Sequence, residues 1–125
     1  MSAATFRVTI DMFSGRPNPS WEIAGDEASQ LVAKLRDLRA PRPELAAKAA
    51  PPGLGYRGIV VGRLSGDETV PDEVRAFNSV LSVKRKGAVA YHEDNARIQE
   101  FLFGLARAKG HAATIEKMSV KAAGR

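Results

Sequence analysis

The chain has 125 residues, 44% of them hydrophobic and 26% charged, the composition of one ordinary globular domain that can bury a continuous core unaided. It contains no cysteine, which excludes disulfides, thiol nucleophiles, iron–sulfur clusters and cysteine-based zinc sites. The net charge of +5 sets 19 Lys and Arg against 14 Asp and Glu, but the signs alternate through most of the chain instead of forming a basic stripe, which argues against nucleic acid as a partner.

Residues 5–12 alternate: Phe6, Val8, Ile10 and Met12 fall on one side, Thr5, Arg7, Thr9 and Asp11 on the other. A period of two with one apolar face predicts a strand covered on one side only. Arg7 and Asp11 interrupt this opening segment, so it does not read as a signal peptide, and no apolar run reaches the length of about 18 residues that suggests a membrane span. The expectation is a cytoplasmic protein with no membrane contact.

The run Phe13–Trp21 is the most specialised stretch, with Ser14, Gly15, Arg16, Pro17, Asn18, Pro19 and Ser20 leading to the single tryptophan. Its two prolines fix φ at their own positions and push Arg16 and Asn18 away from helix, so the loop is stiff. Trp21 to Ile23 reads as a short returning strand. From Gly25 and Asp26 a helix follows, marked by the stripe Ala28, Leu31, Val32, Leu35 and Leu38.

Residues 40–55 form a proline-rich connector, in which Glu44 to Ala50 has the length of two helical turns. A connector this long is expected to cross an end of the sheet. Tyr56 to Leu64 reads as a central strand, and Gly66 and Asp67 turn the chain. A second helix is predicted from Pro71, with Asp72 and Glu73 in its first turn, Val74, Phe77 and Leu81 facing the core, and Gly87 as its stop. The cations Lys84, Arg85 and Lys86 would then sit at its negative pole. Ala88 to His92 is a further strand. Asp94 is placed to cap a third helix whose face is Ile98, Phe101, Leu102, Leu105 and Ala106, ended by Gly110. Ala112 to Ile115 is the candidate for a last strand. Residues 1–117 then make one domain, and 118–125 a loose basic tail.

This order predicts an α+β two-layer sandwich: a mixed, largely antiparallel sheet with about three helices on one face. A doubly wound α/β layout is the alternative. The uncovered face, with Thr5, Arg7 and Thr9, is expected to meet water or a second copy in a homodimer.

The chemical motifs are sparse. Gly53, Gly55 and Gly58 spell GxGxxG, but the motif follows Pro51-Pro52 and opens a strand, so it reads as a turn and not a dinucleotide fingerprint. His92 beside Glu93 and Asp94 could serve a small enzyme as a general base. Neighbouring side chains diverge, however; Glu93 and Asp94 have a role at the helix start, and Glu93 can pair with Arg97. With 2 histidines in the chain, no metal site and no cofactor are expected.

The leading expectation is a non-catalytic binding or accessory domain for an anionic small molecule or a peptide carboxylate. Arg16 would grip the anion as a two-pronged donor, the backbone around Ser14 would add contacts, Asn18 would read an amide-like group, and Trp21 would supply an apolar wall. Tyr56 and Arg57, beside glycines at a strand entry, are the next candidates, and His92 completes the set. Weak nucleic-acid binding through Lys84–Lys86 and the tail is the remaining alternative.

Overall fold

The alternating segment becomes a long first strand, β1 (Thr5–Phe13), with a neighbour on each side. The computed structural model describes residues 4–13, 18–50, 55–66 and 69–111. After β1 come β2 (Ser20–Ile23), α1 (Gly25–Arg36), a 3-10 turn (Pro43–Leu45) running into α2 (Ala46–Ala49), β3 (Gly55–Ser65), β4 (Glu73–Phe77), β5 (Val80–Arg85), β6 (Ala88–Glu93) and α3 (Ile98–Ala108). The strands form one six-stranded sheet in the order β2-β1-β3-β4-β5-β6, with every neighbouring pair antiparallel. The fold is an α+β two-layer sandwich; a doubly wound layout would need parallel neighbours. The last strand expected at 112–115, the Gly53 position and the tail lie outside the described residues.

Register explains the core. Val8 pairs with Val61, Val61 with Val74, and Val74 with Val83; Ile10, Ile59, Ala76 and Leu81 form the adjoining row. These side chains share the inner face and are all buried. The helical stripes cover them: Ala28, Leu31 and Leu35 from α1, and Ile98, Leu102 and Ala106 from α3, join the same cluster. Each fully buried Leu, Ile or Phe there contributes about 1.5–3 kcal/mol.

The predicted second helix is a β-hairpin. Val74, Phe77 and Leu81 fit a helical period, but so does a period of two that resets at a turn. Asn78 and Ser79 have φ of 55° and 64°, the positive pair of a two-residue hairpin turn, and Phe77 pairs across it with Val80. Lys86 and Gly87 repeat the device, with φ of 49° and 86°, between Arg85 and Ala88. Gly87 therefore reverses a strand and does not stop a helix. The Lys84–Lys86 run ends a strand and enters a turn, so no helix pole attracts it. Arg85 instead donates to the Thr69 carbonyl at 2.6 Å, and the Lys86 N–H donates to Asp72 at 2.8 Å.

The proline-rich connector runs along the β6 edge. The Arg42 N–H donates to the Tyr91 carbonyl at 2.7 Å, which occupies an edge that would otherwise be open to pairing. The chain so passes to the outer face, where Leu45 and Ala49 pack on Val80 and Tyr91. Hence α1 and α3 cover the inner face, while the short α2 lies over the β5–β6 part of the outer one. Among the described residues, no helix is long and apolar enough to cross a membrane.

Candidate ligand-binding site

The loop after β1 is closed by its own side chain. Asn18 Oδ1 accepts the Met12 N–H at 2.9 Å, and the Ile10 N–H donates to the Pro19 carbonyl at 2.9 Å. Asn18 thus holds the end of β1 with its oxygen. Ser14 and Arg16 lie outside the described residues.

Sheet register sets this loop beside the start of β3, with Phe13 opposite Gly55 and Met12 opposite Tyr56. Asp11 is opposite Gly58, so Arg57 is the extra residue of a bulge. Gly58 has φ +119°, and a Cβ there would meet the Ala76 carbonyl oxygen at 3.0 Å and the side chains of Arg75 and Phe77 at 3.2 Å. Only glycine fits this close approach. Across the gap Arg75 Nη1 donates to Asp11 Oδ2 at 2.7 Å and to the Arg57 carbonyl at 2.8 Å. The pair is only 27% and 20% exposed, so solvent screens it less than the surface pairs and it ties β4 to β1 over β3.

Arg57 Nε is buried and has no hydrogen-bond partner among the described residues; Trp21 Nε1 and Arg63 Nε share that condition. All three are donors. Of these, Arg63 reaches Asp72 through Nη2 at 2.9 Å.

Tyr56 turns to the seam below α3. Its ring centroid lies 5.8 Å from those of Phe77 and Phe103, and its hydroxyl accepts a hydrogen bond from Gln99. Burial pushes that hydroxyl's pKa well above its ordinary range. Trp21, opposite Val8, stacks on His111 at 5.2 Å and covers the β2 end of the core. Glu22, next to it, pairs with Arg7 at 3.3 Å.

His92 is at the same end of the sheet but three strands from β3, about 14 Å at the usual strand spacing. Its Nδ1 bonds the Arg39 carbonyl at 2.8 Å. Glu93 pairs with Arg39 at 2.8 Å and Arg42 at 3.3 Å, not with Arg97, which pairs with Glu100. Asp94 caps α3 as the sequence predicts, accepting the N–H groups of Ile98 at 2.7 Å and Gln99 at 3.0 Å. No cluster of metal-ligating side chains occurs among the described residues.

The structure therefore brings Asn18, Tyr56 and Arg57 to one end of the sheet, with the Trp21 ring turned to the core and His111, and His92 three strands away from β3. Sequence reading missed Asp11 and Arg75, because Arg75 appeared to belong to a helix; an arginine one strand beyond a bulge glycine is visible only once register is known. A hollow lies elsewhere on the outer face, between α2 and β4–β6. Comparison with protein families, curated proteins and solved structures found no match to this chain.

Proposed function

We propose that this protein is a non-catalytic binding or accessory domain, whose loop end takes an anionic small molecule or a peptide carboxylate. The observation that carries the reading is Arg57 Nε: a buried guanidinium N–H without an acceptor among the described residues, on a bulge opposite the end of β1. A buried donor left unpaired costs about 1–3 kcal/mol, which an arriving acceptor restores. A carboxylate supplies such acceptors, and the Asn18 amide and, on the sequence alone, Arg16 are the further donors proposed. The bonds of His92, Glu93 and Asp94 support the same reading, since each serves the connector or the α3 cap.

The test is a thermal-shift and calorimetric screen with succinate, glutarate, acetate and short peptides with a free carboxyl terminus. Arg57→Gln and Arg16→Ala should each weaken the best binder at least tenfold. Arg57→Lys should recover only part of the affinity, because it keeps the charge but loses the planar donor. Equal binding by wild type and Arg57→Gln, or no binding by any of these compounds, would overturn the assignment.

A further inference from the structure

We propose that the outer-face hollow between α2 and the β4–β6 meander is a second binding site, for a free α-amino acid with an apolar side chain. The hollow has a volume of about 270 Å³, just below the range of about 300–1,000 Å³ usual for ligand pockets. That size suits a single amino acid and not a nucleotide.

Two neighbouring rows of the sheet form its floor. In one, Glu73 lies directly opposite Lys84, which is opposite Val89; in the other, Arg75 faces Ser82, which faces Tyr91. Directly opposed positions bring two side chains to within about 5 Å at their bases. A molecule with an ammonium and a carboxylate on one carbon matches such a pair: its carboxylate meets Lys84, its ammonium Glu73.

No ion pair closes between the two members of this pair, although Lys84 also acts electrostatically on Asp72. On β1–β2 the equivalent cross-strand neighbours Arg7 and Glu22 close an ion pair at 3.3 Å. Glu73 and Lys84 are opposite in the same sense, yet neither has an ion-pair partner among the described residues. The Ser82 and Tyr91 hydroxyls line the hollow as well. Arg75 is fixed at Nη1 by Asp11 and the Arg57 carbonyl, and its other N–H groups, which have no hydrogen bond to the described residues, are offered to the carboxylate. The α2 wall is Ala46, Ala49 and Ala50, whose small side chains, with Val89, offer an apolar surface to the ligand's side chain.

The site is distinct from the loop end, and the experiment separates them. L-leucine is titrated into the full chain by calorimetry and amide NMR, beside N-acetyl-leucine, which lacks the ammonium, and leucinamide, which lacks the carboxylate. The expected result is that leucine binds at least tenfold more tightly than either derivative, with shifts centred on β4–β6 and α2. Lys84→Met and Glu73→Gln, both exposed surface changes, should each lower leucine affinity at least tenfold with an unchanged circular dichroism spectrum. Arg57→Gln should leave it unaltered, and saturating leucine should not displace a carboxylate held at the loop end. Equal affinity for leucine and N-acetyl-leucine, retention of binding in both variants, or no binding of leucine, valine or alanine at millimolar concentration would overturn the proposal.

Discussion

Replacing Gly58 with alanine tests the bulge that presents Arg57. At φ +119° an L-residue is strained, by about 1–2 kcal/mol on the scale of left-handed backbone. The added Cβ also meets the Ala76 carbonyl oxygen at 3.0 Å and the Arg75 and Phe77 side chains at 3.2 Å. The first contact is backbone of a paired strand and cannot swing aside, so overpacking adds about 1–3 kcal/mol. The expected loss is about 2–5 kcal/mol, a large share of a typical 5–15 kcal/mol. Urea unfolding followed by Trp21 fluorescence should show the midpoint falling by about 1–2.5 M for a slope near 2 kcal/mol/M. Gly62→Ala is the control in the same strand: nothing lies within 4 Å of its Cβ position, and its φ is ordinary. It should be neutral or slightly stabilising. A Gly58→Ala loss below about 0.5 kcal/mol, or equal losses at both glycines, would refute the packing argument.

Asp94→Ala should destabilise the fold by about 1–2 kcal/mol in chemical denaturation, because two N–H groups at the start of α3 lose their acceptor; Asp94→Asn should retain most of that stability. Asp72 is held below its ordinary pKa near 3.8, first by the Lys86 N–H and then by Arg63. A depressed folded pKa means that its contribution is complete above that ordinary value and fades as pH falls through the lowered one. The stability gap between wild type and Asp72→Asn should therefore be constant from pH 7 to 5 and shrink from pH 4 to 2; a gap independent of pH would contradict the assignment.

Much of the architecture was legible because it rests on local periodicity. The alternation of Phe6, Val8 and Ile10, the stripe of Leu31 and Leu35 and that of Ile98, Leu102 and Ala106 each name a buried face, and all three faces meet in one core. Residues 71–87 misled because Val74, Phe77 and Leu81 satisfy a helical spacing by accident. The decisive signal was the Asn78-Ser79 dipeptide between β-formers, a weaker hairpin signature than Asn-Gly. The outer-face position of α2 depends on the connector following β6, held by bonds such as Arg42 to Tyr91 across 49 residues of sequence, which no local pattern encodes. Likewise Arg57 could be singled out from its glycine neighbours, whereas its companions Asp11 and Arg75 become neighbours only through register.

The most direct test of carboxylate recognition at the loop end observes the Arg57 side chain itself. In ¹⁵N-labelled protein the arginine Nε–H resonances are followed while succinate is added, with Arg57→Gln identifying the Arg57 signal. Recognition predicts that this resonance moves progressively, saturates, and shifts in the direction of a stronger hydrogen bond while those of Arg39 and Arg42 stay in place. A stationary Arg57 signal, with bound succinate detected elsewhere or nowhere, would contradict it.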